Sequence, residues 1–330
     1  MRVLVTGAAG MLGQKLVAAL VRAGALGQRA ISHLVLVDVV EPVVPTAVFT
    51  VEARRGDLAE PGITSSLVAC RPDVVFHLAA VVSGEAEADV DKGYRINLDG
   101  TRLLLDALCA EQNGEYVPRV VVASSIAVFG APFPDVIGDD EQLTPLTCYG
   151  TQKAIAELLL ADYSRRGFVD GIALRLPTIC VRPGAPNRAA SGFFSSIIRE
   201  PLNGREAVLP VSDDVRHWFA SPRAATGFFL RAATLDTGAL GHRRALTMPG
   251  VSATVAEQLA SLRRFGGADA ERLVRRQRDE TIARMVAGWP AAFDTRRASI
   301  LGFVAERTFD DIVRVYIDDE LDGRLPEPTR

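Results

Sequence analysis

The first half of the chain alternates between two hydrophobic periods. Short apolar runs rich in β-branched residues recur at 2–6 (RVLVT), 33–38 (HLVLVD), 73–78 (DVVFHL), 119–123 (RVVVA) and 171–176 (GIALRL). A weaker candidate at 49–51 ends near Gly56-Asp57-Leu58. Between them, apolar residues fall at helical spacing over 11–22, 63–69, 89–109 and 149–164; in the first, Leu12, Leu16, Val17 and Leu20 share one face. Strands apolar throughout, separated by helices, predict a parallel sheet covered on both sides. The expected class is α/β, with a doubly wound sheet.

Beyond about residue 180 the alternation loosens. Pro183, Pro186, Pro201 and Pro210 interrupt the chain. Shorter helices are expected at 222–235, 254–265 and 309–320, with one more strand at 245–248. The arginine-rich stretch 272–278 reads as a solvated helix face. Residues 1–180 form the expected sheet domain. Residues 181–330 form mainly a smaller C-terminal lobe over the carboxyl edge of the sheet, where ligands bind in such folds.

Composition narrows the classes. Apolar residues at 48% and charged residues at 23% suit a soluble globular chain, and 330 residues bury a core without staples. With 37 basic and 40 acidic residues the net charge is −3, which argues against a nucleic-acid or membrane-surface binder. The basic residues are 34 Arg and three Lys (Lys15, Lys92, Lys153), so a motif that needs lysine rarely arises by chance. Cys70, Cys109, Cys148 and Cys180 form neither a metal knuckle nor a CxxC pair, and few scattered cysteines suit a reducing compartment. The longest uncharged run, 120–134, is 15 residues broken by Ser, Gly and Pro, too short to span a membrane. The uncharged stretch 3–14 is interrupted by Thr6, Gly7 and Gly10, which argues against a secretory signal. The chain reads as cytoplasmic, with no metal-ligand cluster.

Those glycines have a chemical reading. Gly7-Ala8-Ala9-Gly10-Met11-Leu12-Gly13 joins the first strand to the first helix with GxxGxxG spacing. Gly7 permits the tight turn, Gly10 lets backbone approach a pyrophosphate, and Gly13 lets the helix pack on the strand. The pyrophosphate would meet the free N–H groups at the helix start. Asp38 ends the second strand 25 residues after Gly13 and is followed by Val39-Val40 rather than Arg. A carboxylate there accepts from the adenosine ribose and repels a 2′-phosphate, so the expected cofactor is NAD on a Rossmann-type fold. Asp57-Leu58 ends the next unit, where the adenine would lie.

Tyr149 and Lys153 form Y-x-x-x-K, on one face of a helix. A free phenol, with a pKa near 10, is a poor base at neutral pH. A neighbouring ammonium and a cationic nicotinamide both favour the phenolate. Tyr149 would then take a substrate hydroxyl's proton as hydride leaves, with Lys153 also bonding the nicotinamide ribose. Ser124-Ser125 close the fifth strand, where a hydroxyl would steady the substrate alcohol.

These residues, with His77-Leu78-Ala79-Ala80 and Asn97-Leu98-Asp99-Gly100-Thr101, occur in an order that resembles the extended short-chain dehydrogenase/reductases, the NAD-dependent epimerase/dehydratase family. The resemblance implies Tyr149 as acid/base, Lys153 as its partner and Ser125 as substrate-hydroxyl donor. It implies a cofactor lined by Leu78, Ala79, Ala80, Ser124, Pro177 and Thr178, with Asn97 bracing the sheet or a proton relay. Arg216-His217-Trp218 resembles the family's Arg-Asp-aromatic segment, with His where Asp is usual, and Asp294, Arg297-Ala298 and Leu301-Gly302-Phe303 resemble its closing segment. The lobe is similar to that of the group within the family that oxidises a four-carbon sugar acid, D-erythronate, with NAD. Such a substrate needs a cation for its carboxylate. Arg182, Arg188 and Arg216 are the candidates, with Ser83, Asn187 and Ser191 as polar contacts. His77 and His217 read as structural.

Two other readings stand beside this one: an epimerase or dehydratase of a nucleotide sugar that recycles its NAD, and a non-catalytic NAD-sensing protein. Ile155, Leu158, Leu159 and Leu160 cover more than one face of their helix, which predicts a homodimer or burial within one chain.

Overall fold

The structure, a computed structural model, describes residues 1–184 and 190–325. Seven parallel strands form the main sheet: β1 (Arg2–Thr6), β2 (His33–Asp38), β3 (Thr50–Arg55), β4 (Val74–His77), β5 (Arg119–Ser125), β6 (Asp170–Leu176) and β7 (Ala245–Thr247). Their order is β7-β6-β5-β4-β1-β2-β3. Successive side chains point to opposite faces of the sheet. Val3, Val5, Leu34, Leu36, Phe76 and Val121 enter one buried cluster, and Leu4, Val35, Val37, Val75, Val120 and Val122 enter another. Helix α1 (Met11–Ala23) covers the first face with Leu16, Val17 and Leu20. Helices α2 (Gly100–Ala110) and α3 (Cys148–Arg165) cover the second with Leu104, Leu105, Leu108 and Leu160. Each such side chain, fully buried, contributes about 1.5–3 kcal/mol.

Three departures from the expected pattern have physical reasons. β3 is longer than the run at 49–51; it is an edge strand carrying Glu52, Arg54 and Arg55, so its apolar signature is thin. The helix expected at 89–109 is divided into a short turn (Val90–Gly93), a π-helical segment (Tyr94–Asp99) and α2. Asn97, in the π-helical segment, is buried; its Oδ1 accepts from the Val81 N–H at 2.8 Å and its Nδ2 donates to Gln152 Oε1 at 2.7 Å. The stretch 272–278 is only partly helical: Arg272 ends a helix and Val274–Arg276 is a strand, with Arg275, Arg276 and Arg278 exposed and ion-paired.

The lobe has its own core. Thr178–Ile179 pairs with Arg216–Ala220 in parallel, and Arg216–Ala220 pairs antiparallel with Val251–Thr254. Around this small sheet, α4 (Gly192–Leu202), α5 (Val255–Arg272) and α6 (Phe309–Glu320) bury Phe194, Ile197, Leu259, Leu262, Ile312 and Tyr316. α4 is absent from the pattern reading because Pro201 looks like a breaker, yet it lies in the last turn. Between these elements the chain returns to the main sheet. The helix Pro222–Thr234 packs Phe228 and Phe229 into the first cluster, and β7 extends the sheet. Sheet and lobe are thus interleaved in sequence after residue 180. No helix among the described residues is long and apolar enough to cross a membrane.

Candidate active site

The sheet order reverses at β1, so a crevice opens between the carboxyl ends of β1 and β4. The glycine loop sits there under tight steric limits. Gly7 has φ +73°, and a Cβ on it would come within 2.6 Å of the Ala79 nitrogen. A Cβ on Gly13 would lie 2.1 Å from the Gly7 carbonyl oxygen. Gly10 caps α1 without a side-chain hydrogen bond, and the first turn carries no acid. The positive end of α1 is therefore not neutralised from within the helix, which suits an anion. Asp38 Oδ2 accepts from the Ala9 N–H at 3.0 Å, tying the end of β2 to the loop. Asp57 pairs with Arg95 at 2.7 Å, and Leu58 beside it is buried. A cavity of about 640 Å³ borders Val39, Asp57, Ala80, Val81, Glu85 and Arg95. An uncapped helix start, a strand-end carboxylate and a cavity next along the sheet edge fit a dinucleotide diphosphate.

His77 closes the floor of this half. It is buried, with Nδ1 2.8 Å from Thr6 Oγ1 and Nε2 2.8 Å from Thr101 Oγ1. Thr101 Oγ1 donates to the Asn97 carbonyl at 2.7 Å. That donation makes Thr101 the acceptor of Nε2–H, so Nδ1 accepts from Thr6 and the ring is neutral. Burial first, and the charge of Lys153 second, push its pKa down to about 3. The ring links β1, β4 and α2 as a structural residue.

The reactive half is set by the start of α3. Thr147 caps the helix, its Oγ1 accepting from the Gly150 N–H at 3.0 Å. A Cβ on Gly150 would lie 2.1 Å from the Ala127 carbonyl oxygen, so the glycine lets the first turn press on the segment after β5. Tyr149 is thereby hydrogen-bonded to Ser125. Lys153 is buried, donates to the Ala123 carbonyl at 2.8 Å, and lies 5.6 Å from the centroid of the Tyr149 ring. Burial lowers the Lys153 pKa to about 8, opposed by the charge of Glu157.

The tyrosine departs from the expectation that the lysine lowers its pKa. Burial raises the phenol to about 12, offset in part by the Ser125 hydrogen bond and by the charge of Arg182. The ammonium lies over the ring rather than on the hydroxyl, and the cation acting on the phenol is Arg182.

Arg182 Nη2 donates to Ser191 Oγ at 2.9 Å, and its backbone N–H donates to Ser195 Oγ at 3.1 Å. Tyr149, Lys153, Ser125, Arg182 and Ser191 are thus linked by direct contacts or by charge. Arg216 is held otherwise: its Nη1 donates to the Ser252 carbonyl at 3.3 Å and pairs with Glu257 at 3.4 Å, with 44% of the side chain exposed. Ser83 opens the short helix Ser83–Ala88, and Pro177 is buried behind Thr178. Thr178 Oγ1 lies 2.7 Å from His217 Nε2; burial takes His217 down to about 4, so it too is neutral. Asn187 and Arg188 lie outside the described residues. Among the described residues no His, Cys, Asp or Glu cluster would hold a metal.

Ser124 lies beyond the reactive pair in a buried network. Its hydroxyl donates to Glu157 Oε1 at 2.5 Å, away from Tyr149, because adjacent strand residues face opposite ways. Glu157 also takes a two-pronged contact from Arg175, at 2.9 Å and 3.1 Å. Glu157, Arg175 and Gln152 escape the sequence reading. The available signal was spacing: Glu157 follows Lys153 by four residues, on the same face as Tyr149.

With the geometry in place, comparison with known proteins gives a consistent picture. The model of the NAD dependent epimerase/dehydratase family matches residues 3–242. D-erythronate dehydrogenase of Cupriavidus necator is 47% identical over 97% of this chain and 98% of its own. D-erythronate dehydrogenase of Haemophilus influenzae is 41% identical over 97% of this chain and 100% of its own. A crystal structure from Agrobacterium tumefaciens, described as a nucleoside-diphosphate-sugar epimerase, is 57% identical, covers 99% of this chain and 96% of its own, and superposes with a TM-score of 0.96.

Without cofactor, Tyr149 is expected to ionise near pH 12. The ultraviolet difference between the native protein and Tyr149→Phe then shows phenolate only above about pH 11. Because the folded pKa is raised, burial of the phenol stabilises the fold fully below about pH 10 and loses that contribution as pH rises toward 12. Phenolate from Tyr149 below about pH 10 would contradict the burial.

Proposed function

The chain belongs to the NAD dependent epimerase/dehydratase family, and we propose that within it the protein is a dehydrogenase that oxidises D-erythronate to 2-dehydro-D-erythronate. The enzyme is an NAD-dependent oxidoreductase acting on a CH–OH group. The observation that carries the choice of a small acid is the identity of 47% and 41%, over nearly the whole chain, to two D-erythronate dehydrogenases; Arg182, whose charge favours the Tyr149 phenolate, is the cation the site offers the acid.

On this reading the first turn of α1, with Gly7, Gly10, Met11, Leu12 and Gly13, holds the cofactor diphosphate. Asp38 holds the adenosine ribose, and Asp57-Leu58 border the adenine. Leu78, Ala79, Ala80, Pro177 and Thr178 line the remaining path, with Asn97 fixing the loop through Val81 and Ser124 supporting it from behind. Bound NAD supplies the acceptor for the hydride that leaves the carbinol carbon. Ser125 and Tyr149 hold the substrate hydroxyl, and Tyr149 takes its proton as the C–H bond breaks. One ketone and one proton result for each hydride transferred. Arg182, with Ser191, binds the carboxylate, the geometry that bidentate guanidinium suits. Arg182 also favours the phenolate, as does the cationic ring of oxidised cofactor, against the upward push of burial. Lys153 keeps one donor on the Ala123 carbonyl and has two more for the nicotinamide ribose.

The exposed part of the apolar run on α3 supports a homodimer. Leu160 is buried and Leu159 packs on the core, while Leu158 stays 67% exposed. A cytoplasmic location is part of the same reading, supported by four cysteines without disulfides.

The dialysed protein is expected to reduce added NAD in proportion to keto acid formed from D-erythronate. Retained NAD with no net reduction, together with turnover of a nucleotide sugar, would move the assignment to the epimerase reading that the Agrobacterium neighbour's description favours. Tyr149→Phe is expected to abolish turnover and spare NAD binding; a retained rate would remove the tyrosine as base. Arg182→Ala is expected to raise KM for the acid by about 100-fold, the scale of a lost charged hydrogen bond, while a neutral polyol shows only the smaller loss in rate that comes from weaker support of the phenolate, with KM unchanged. An equal loss on both substrates would reject the carboxylate role. Sedimentation at micromolar concentration is expected to show a dimer that Leu158→Arg converts to monomer; monomer alone in the native protein would reject the interface.

A further inference from the structure

Behind Lys153 lies a buried group of charges that the reaction as described does not use. Tyr149, Lys153 and Glu157 succeed one another at intervals of four along one face of α3. Glu157 is 5% exposed and Arg175, on β6, is 6% exposed. Three contacts of 2.9–3.1 Å join the two. Ser124 Oγ donates to the same carboxylate at 2.5 Å, and the preceding residue, Ala123, supplies the carbonyl that holds Lys153. The carboxylate and the ammonium are thus both anchored on neighbouring residues at the end of β5.

We propose that Glu157 is a positioning residue for the reactive pair: by closing an ion pair with Arg175 and taking the Ser124 hydroxyl, it fixes the end of β5 against Lys153 and keeps the lysine cationic. A buried charge must be paired or it neutralises. Here the layer holds two cations, Lys153 and Arg175, and one anion. Among the described residues no other anion stands with them: Tyr149 is a phenol and His77, on β4, is neutral at neutral pH, and Arg182, which acts on Tyr149, is a further cation. Arg175 also donates to the Asp139 carbonyl at 3.1 Å and lies 5.0 Å from the Phe129 ring centroid, contacts that hold it in place without cancelling its charge. Glu157 is therefore the anion that allows both cations to stay charged out of water, and the downward push of burial on Lys153 is opposed by it.

This role has a sign that simple packing lacks. Removing Glu157 leaves Arg175 without its carboxylate, takes away the anion that opposes burial at Lys153, and makes the lysine lose its proton more easily. Removing Arg175 leaves the carboxylate free to favour the ammonium, which then holds its proton longer. The inference rests on the dehydrogenase reading for its consequence, but its test does not need substrate.

The chain has three lysines, so protein carrying [13Cε]lysine gives three resonances, and Lys15→Arg and Lys92→Arg assign two of them. In the native protein Lys153 is expected to titrate near pH 8. In Glu157→Gln the midpoint is expected to fall by about one unit or more, and in Arg175→Met to rise by about as much. Lys15 and Lys92 do not move. If either variant fails to fold, the sign in the other decides. Midpoints that shift together in one direction, or stay within about 0.3 unit of native, would overturn the proposal.

With D-erythronate, Glu157→Gln is expected to lower kcat about ten-fold at pH 8 with KM changed less than about three-fold, and Glu157→Asp to recover most of the rate. Opposite midpoint shifts without any D-erythronate turnover would leave the positioning role standing and reject the substrate instead. D-erythronate turnover with a static Lys153 midpoint would do the reverse.

Discussion

Taking a lysine ammonium out of water is the constraint around which the reactive half is built. Lys153 is 6% exposed, and burial, against the opposing charge of Glu157, brings its pKa down to about 8. The Ala123 carbonyl takes one N–H, and Glu157 opposes the loss of charge. Glu157 is itself buried, so it needs Arg175 and Ser124. Arg175 in turn donates to the carbonyl of Asp139, whose carboxylate accepts from the Thr247 N–H at 2.7 Å and from Arg297 at 2.7 Å. Arg297 donates further to the carbonyls of Leu240, Arg243 and Ala245. Each partner is there because the one before it cannot stand unpaired in a dry interior. The closing segment around Arg297 is tied to the reactive lysine through this sequence of compensations rather than by contact.

The crevice half is organised differently. It is limited by backbone approach, at Gly7 and Gly13, and floored by an uncharged chain of hydrogen bonds through His77. A diphosphate brings its own negative charge to that half, which the free N–H groups and positive end of α1 suit and a fixed anion would oppose. The two halves meet at the end of β5, where strand alternation sends Ser125 to the phenol and Ser124 to Glu157. One dipeptide therefore serves both the reacting surface and its support.

Much of this was legible in the residues because it follows local rules. The buried strands show as β-branched runs, and the glycine loop shows as spacing, since only glycine fits where a Cβ would lie 2.1 Å from an oxygen. Tyr149 and Lys153 show because helix geometry fixes which residues share a face. What was hidden depends on residues distant in sequence. The edge strand β3 is half-polar because solvent covers it, and Asn97 needs a π-helical turn whose purpose is a loop 16 residues earlier. The lowering of the phenol by Lys153, expected from adjacency, gave way to burial, and Arg182 emerged as the acting cation only once the lobe was folded over the sheet. Among 34 arginines no local pattern marks that one.

The same arginine bears on why a small acid suits this pocket better than a nucleotide sugar. A nucleotide-sugar enzyme needs its cations a full sugar ring away from the reacting carbon, where the diphosphate lies. Arg216, the lobe arginine at the family's position for that contact, is turned to Glu257 and the Ser252 carbonyl. Arg182 instead acts on the phenol itself. In a 2-hydroxy acid the carboxylate is bonded directly to the carbinol carbon, so the base and the carboxylate's counter-ion must stand side by side. A cation that near the base also lowers the phenol's resistance to ionisation before substrate arrives. When the carboxylate binds, it neutralises Arg182 and weakens that help at the moment the proton must move. The cationic nicotinamide must then supply what Arg182 gives up, while the charge of Lys153, and the buried carboxylate that preserves it, keep all three ammonium donors available to the Ala123 carbonyl and the nicotinamide ribose.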